Sequence, residues 1–272
     1  MSIRAKKSLG QHFLRSKTVL AQIVGATKLS QADLVLEIGP GEGALTEALL
    51  LTGAHVVAVE TDERCVASLP LRFEKEIESG QLKLIEGDIR NEDVVAKLFE
   101  KDFLEKKSYK LIANIPYYIT GMLFRLFLEK LRQPTDIVFL IQKEVAEEIV
   151  SRDGKEGILS LSVKAFGRAR YVAKVKREAF TPAPKVDSAI IHISEITRER
   201  LSLKENDNYF RIIKAGLGSR RKMLLGNLVR AFPQQRGEIE HAFTQLAIDT
   251  AIRGEDLPSE KWLALTRQVS IK

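Results

Sequence analysis

The stretch "LEIGPGEGALT", residues 36–46, decides how the rest of this chain is read. An apolar run stops at Gly39, crosses Gly41 and Gly43, and resumes as a segment with helical spacing. That is a strand, a glycine turn and a helix start. Glycines in such a turn accept positive φ and let backbone come close to a ligand. In open α/β sheets ligands lie beyond the carboxyl ends of the strands. The same letters satisfy the dinucleotide fingerprint, with Ala44 in its last position. Glu60 follows about 20 residues on, where a ribose-binding acid belongs. The motif by itself leaves NAD, S-adenosylmethionine and a mere tight turn all open.

Outward from it, apolar runs alternate with helical patterns. "DLVLEIG" reads as a strand and "GALTEALLLTG" as a helix closed by Gly53. "AHVVAVET" is a second strand, followed by a helical stretch interrupted at Pro70. "LKLIEGD", "YKLIANI" and "DIVFLIQ" are the third, fourth and fifth strands, with helical segments near 119–131 and 143–151. Continuous Val/Ile/Leu strands alternating with helices imply a parallel sheet covered on both faces. "ARYVAKVKR" and "KVDSAIIHISEI" then read as an antiparallel pair at the sheet's edge. Strand signals end at Ile196, and "YFRIIKAGLGSRRKMLLGNLVRAF" opens a run of helices. The expected division is an α/β domain over 1–197, with residues 1–17 as a lid segment, and a small helical domain over 198–272.

Composition narrows the function. The 272 residues are 44% hydrophobic and 29% charged, enough for one large core and a small satellite. No apolar run approaches the ~20 residues that span a bilayer, so no membrane partner is expected. The N-terminus lacks the apolar centre of a secretory signal. Cys65 is alone, which excludes an internal disulfide framework, and the four His have no metal-ligand spacing. No metal is expected, and a reducing cytoplasm fits. The net charge of +7 is uneven: residues 1–32 carry six basic and no acidic residues, and 198–272 carry fourteen basic against nine acidic. Two basic ends around a mildly acidic middle suit a polyanion gripped from two sides.

Acidic or amide residues close successive strands: Glu37, Glu60, Asp88 and Asn114. Three carboxylates would repel a pyrophosphate, whereas S-adenosylmethionine is cationic at sulfur and carries no phosphate. The electrostatics favour the latter. "NIPYYIT", residues 114–120, then acquires a purpose. An exocyclic amine is planar and poorly nucleophilic, because its lone pair is delocalised into the ring. Acceptors for its two N–H groups favour a pyramidal nitrogen. Asn114 supplies one through its amide oxygen. Pro116 fixes its own φ and forces an extended residue before it, which aims a backbone carbonyl as the second. Tyr117 offers a face for an extruded base, a contact of ~1–3 kcal/mol. Orientation and electrostatic placement would carry the catalysis, with the proton leaving to water.

"SLGQHFL", "EIGPGEGALT", "NIPYYIT", "FTPAPKVDSA" and "GSRRKMLLGNL" stand in the order seen in ribosomal RNA adenine N6,N6-dimethyltransferases. The chain resembles the bacterial KsgA-type small-subunit members of that family from Lys7 to about Leu265. The resemblance implies a seven-stranded Rossmann-like class I methyltransferase domain followed by a small α-helical domain. It implies methylation of two adjacent adenosines near the 3′ end of 16S rRNA in the small ribosomal subunit or its precursor. A monomer is expected. Cofactor contacts fall on His12, Leu14, Gly39, Glu60, Asp88 and Asn114, with Gly41 in the same glycine turn. S-adenosylmethionine would be the cofactor and S-adenosylhomocysteine its product. Phe180, in a loop stiffened by Pro182 and Pro184, would face the base across from Tyr117. Arg220, Arg221 and Lys222 stand at a helix start, a poor place for cations unless they meet phosphate. His12 and Tyr118 depart from the family, where Asn is frequent at both positions. Two other readings are a large-subunit methyltransferase of the antibiotic-resistance type, and a non-enzymatic RNA-binding assembly or transcription factor.

Overall fold

The computed structural model describes residues 3–6, 9–99, 108–151 and 154–271. Lys7 and Ser8 of the N-terminal motif lie outside the described residues. The chain divides into two compact units. The first comprises 1–123, 132–146 and 170–194, and the second 124–131, 147–169 and 195–272.

A seven-stranded sheet organises the first unit. Its strands are β1 (Leu34–Ile38), β2 (His55–Glu60), β3 (Leu82–Glu86), β4 (Lys110–Asn114), β5 (Asp136–Gln142), β6 (Arg168–Val175) and β7 (Ser188–Ser194). They lie in the order β3-β2-β1-β4-β5-β7-β6. The pairs from β3 through β5 are parallel, with Leu36 between Val57 and Leu111. β7 runs antiparallel to β5, Phe139 facing Ile191, and β6 is its neighbour at the edge. Val35, Leu36, Val57, Ala58, Leu111, Ile112 and residues 137–141 are almost wholly excluded from solvent. Burial on both faces is why these strands read as unbroken apolar runs. The sheet's order reverses at β1 and β4, so a crevice opens beyond Ile38 and Asn114, where such folds take ligands.

Local chemistry sets the helices around this sheet. Ser16 caps the helix Lys17–Gly25 by accepting from the Val19 N–H, and Asp62 caps Glu63–Arg72 through Arg64. Pro70 does not interrupt that helix, as the sequence suggested. It costs one N–H donor, yet the helix runs on to Arg72 and stops at Phe73, whose N–H caps back on Leu69. Proline near a C-terminal end loses a single bond and need not break the turn.

Gly43 begins the helix Ala44–Leu50 at φ +83°. A Cβ there would stand 2.5 Å from the Phe73 ring and 3.0 Å from Leu69. Gly43→Ala therefore combines left-handed strain of about 1–2 kcal/mol with overpacking of about 1–3 kcal/mol. A urea midpoint unchanged from that of the parent would contradict this account.

The second unit is helical in its C-terminal part, with Leu203–Gly216, Leu224–Ala231, Arg236–Gln245 and Ser259–Gln268. Ser202 and Glu205 form a reciprocal cap on the first of these. Trp262 and Tyr209 are fully buried, and the Tyr209 hydroxyl donates to the Leu161 carbonyl at 3.0 Å. The helix Ile158–Lys164 also belongs to this unit. No helix among the described residues is long and apolar enough to cross a membrane.

Candidate active site

A cleft lies beyond the carboxyl ends of β1, β2 and β4. Gly39, Pro40 and Gly41 line it from the glycine turn, Glu60 and Thr61 from the end of β2, and Asp88 to Arg90 from the loop after β3. Residues 114–119 line it from the end of β4, and 9–14 from the N-terminal segment. Phe180 completes the wall. Every residue expected from the sequence to hold the cofactor or the base thus borders one cavity. Arg220, Arg221 and Lys222 belong to the second unit, in the exposed turn just before Leu224–Ala231.

Of the carboxyl groups lining the cleft, Glu37, Glu60 and Asp88 differ sharply in state. Glu37 is 1% exposed, and burial pushes its carboxyl up to about 8, helped by the Glu60 charge and opposed by the Thr46 hydroxyl, which donates at 2.7 Å. It is neutral at pH 7. Glu60 accepts three backbone N–H groups at 2.8 Å, those of Gly41, Thr61 and Asp62. Burial raises its carboxyl, and these three donors pull it back. Glu60 therefore holds the glycine turn against the end of β2 and retains one lone-pair site. Asp88 is held low chiefly by the Arg90 guanidinium, whose Nε donates to both carboxylate oxygens at 2.9 Å. The expected trio of like carboxylates is corrected accordingly: one carries a proton, one accepts three backbone N–H groups with one site left over, and one is ion-paired. The environment, not the residue type, sets the charge.

At the end of β4, the Asn114 Nδ2 donates to the His12 carbonyl at 3.3 Å. That bond fixes the amide orientation and leaves Oδ1 for a ligand. Pro116 holds φ −59°, and its carbonyl accepts from the Ile119 N–H at 3.2 Å. Tyr117 is pinned through its hydroxyl to the Ser188 Oγ at 2.7 Å, and its burial raises the phenol. Its ring stacks with that of His12, centroids 6.2 Å apart and planes 23° apart. The His12 Nδ1 lies 2.7 Å from the Pro182 carbonyl, so that nitrogen carries the proton. Phe180 is 4% exposed and belongs to the core cluster while lining the cleft. Its backbone pairs with Leu14, so the N-terminal segment and this loop close the cavity together.

Sequence reasoning missed the anchor of that segment. Asp62, 1% exposed, binds Gln11 Nε2 at 2.8 Å, Lys6 Nζ at 3.3 Å and Arg64 Nη2 at 2.6 Å. Arg64, before the others, holds its carboxyl far below the usual range. The adjacent "TDER" announces a helix cap, but nothing local shows that the same carboxylate ties down residues fifty positions earlier. Ser188 and Arg90 were likewise not singled out. Cys65 is a buried helix residue whose thiol burial pushes up to about 12, so it is inert at neutral pH.

The cleft fits S-adenosylmethionine on its own geometry. A Cβ at Gly39 would meet nothing within 4 Å, so the turn presents bare backbone to open space. Gly41 is closely covered by the Phe13 ring, 3.1 Å from where a Cβ would stand. Ile89, buried, and Leu45 and Val59 give an apolar wall beside the polar strand ends.

The family description "Ribosomal RNA adenine dimethylase" matches residues 2–269. The chain belongs to that family. Ribosomal RNA adenine dimethylases are S-adenosylmethionine-dependent methyltransferases, and this chain is such an enzyme. A protein named ribosomal RNA small subunit methyltransferase A from Dehalococcoides mccartyi strain CBDB1 is 38% identical over 269 residues, 97% of this chain and 88% of the relative. One of the same name from Thermosynechococcus vestitus is 37% identical, covering 97% and 96%. Among solved structures, a dimethyladenosine transferase from Plasmodium falciparum superposes with TM-score 0.77 at 24% identity, covering 93% of this chain and 96% of that one. The 23S rRNA methyltransferase ErmE gives TM-score 0.73 at 23% identity, covering 94% and 99%. Both share the fold of this chain.

Proposed function

We propose that this enzyme dimethylates the exocyclic N6 amine of two adjacent adenosines in the 3′-terminal hairpin of 16S rRNA, in the small ribosomal subunit or its precursor. Full-length relatives named for the small subunit support that substrate, and the set of side chains around Asn114 supports the chemistry. The observation that carries it is the Asn114 amide: its nitrogen is engaged by the His12 carbonyl, so its oxygen is presented to the cleft.

The residues divide the work. The glycine turn at Gly39 and Gly41, with Glu60, Asp88, Leu14 and the His12 main chain, holds the cofactor. When bound, S-adenosylmethionine supplies an electrophilic methyl group on its sulfonium. Asn114 Oδ1 accepts one N–H of the adenine amine. The second acceptor is the carbonyl of Ile115, which the following proline disposes to extended geometry, while the Pro116 carbonyl accepts from the Ile119 N–H. Two acceptors localise the nitrogen lone pair and aim it. Tyr117, fixed through Ser188, and Phe180 hold the flipped base by stacking, worth about 1–3 kcal/mol per base. After transfer the amine is acidic, and its proton leaves to water. Positioning of this kind supplies most of the rate enhancement without a strong base. Arg220, Arg221 and Lys222 contact rRNA phosphates within the helical part assigned to 198–272, and residues 1–197 form the catalytic domain. The enzyme acts as a cytoplasmic monomer in small-subunit biogenesis.

The test is incubation with labelled cofactor and undermethylated small subunits, followed by mass mapping of the RNA. Dimethyladenosine at two adjacent positions near the 3′ end is the expected result. Label confined to large-subunit RNA would favour the antibiotic-resistance type, and no label in either RNA would leave only a binding role.

A further inference from the structure

A second concavity lies at the segment joining β6 to β7. It is lined by Lys174, Lys176, Arg177, Glu178, Lys185 and Asp187. Its two acids are engaged. Asp187 pairs with Lys174 at 2.8 Å and accepts the Arg177 backbone N–H at 3.1 Å, and Glu178 pairs with Arg177 at 3.2 Å. Lys176 and Lys185, both exposed, have no carboxylate partner among the described residues. Four cations against two acids leave the concavity positive, with its excess charge on those two lysines.

Its location relative to the clamp gives that charge a use. Asp187 immediately precedes Ser188, which fixes Tyr117. The short turn Arg177–Ala179 leads directly into Phe180, which lines the cleft. The segment that carries the lysines is thus the segment that shapes the base pocket. A nucleotide turned out of its stack must have its flanking backbone held, and phosphate contacts provide such positioning without reading sequence.

We propose that Lys176 and Lys185, in the hollow held open by the Lys174–Asp187 and Arg177–Glu178 pairs, form a phosphate subsite for the RNA strand next to the target adenosine. This rests on the reading of the cleft as an RNA adenosine methylation site. The paired cations shape the hollow, and the two unpaired ones meet phosphodiester oxygens. The subsite holds backbone, so it governs substrate capture and not the chemical step.

The test compares Lys176→Ala, Lys185→Ala and their double variant with the parent. Lys97→Ala, an exposed lysine on the helix Glu92–Leu98, is the control. KM and kcat are measured on undermethylated small subunits. Binding of a fluorescent single-stranded RNA of about ten nucleotides is followed by anisotropy at several salt concentrations. Each lost phosphate contact reduces the salt slope by about 0.7 on single strands, so the double variant should lose about 1.4 and raise KM roughly tenfold. Its kcat should stay within about twofold of the parent, because the clamp is untouched. KM and salt slope equal to those of the Lys97→Ala control would overturn the subsite, and so would a loss confined to kcat. If the parent methylates neither ribosomal RNA, the functional reading fails, but the anisotropy series still decides the subsite by the same slopes.

Discussion

Replacing Asn114 by alanine is expected to slow methyl transfer about 10²–10³-fold, the usual cost of losing one preorganised polar group at a reacting centre. The side chain stands half-buried at the end of β4, and its Nδ2 is tied to the His12 carbonyl. Truncation removes the acceptor for the amine and frees a segment of the N-terminal wall at the same time. Stability should fall by only about 1 kcal/mol, since a single partly exposed hydrogen bond is lost. Asn114→Asp separates the two effects. It retains acceptor oxygens, but one of them must face the His12 carbonyl, acceptor against acceptor, so it too should be slow although nearly isosteric. Single-turnover rates with labelled cofactor, read beside thermal melts, test this. An alanine variant that turns over like the parent would remove Asn114 from the chemistry.

The second large effect is on stability. Glu37→Gln is expected to stabilise the protein at pH 8 by a few kcal/mol and to leave it nearly unchanged at pH 4, since about 1.4 kcal/mol accrues for each pH unit between the titrations of the unfolded and folded chain. Burial raises the Glu37 carboxyl to about 8 in the folded chain from an ordinary value of 4.5. Between those limits the native state binds one more proton than the unfolded chain, so stability falls as pH rises through that window. Glutamine has no proton to hold, and its amide oxygen can still accept from Thr46. Urea unfolding at pH 5, 6.5 and 8 should therefore give a shallower decline for the variant than for the parent. Parallel declines would mean that Glu37 is ionised when folded.

Legibility in the sequence followed the physics of each element. The inner parallel strands are readable because both of their faces are buried, whereas β3, at the sheet's edge, exposes Lys83 and Glu86 yet keeps Leu82 and Ile85 buried. The pairing of β7 beside β6 was readable from two adjacent apolar segments with only a proline-rich loop between them. The helix Ile158–Lys164 is not legible, because "ILSLSVK" alternates apolar and polar residues with the period of a strand. Burial of Leu161 and Val163, with Ser160 bonding back to the Gly157 N–H, overrides that period. Pro70 misleads for a related reason: its local preference is outweighed by the packing of Leu69 and Phe73 on the core. The base clamp was legible as a set of residues, but the partners that orient it were not. Ser188 lies seventy-one positions from Tyr117, and His12 lies one hundred and two from Asn114.

The amino-acid sequence on its own determined the α/β class, the glycine turn and the placing of Glu37, Glu60, Asp88 and Asn114 near successive strand ends. These follow from periodicity and spacing, which are properties of the chain. Only the tertiary structure decided what those side chains are. Glu37 keeps a proton because the fold strips it of water, Glu60 accepts three backbone donors, and Asp88 stays charged against Arg90. Ionisation depends on solvent access and on where partners stand, and folding brings both from elements that the local letters do not contain.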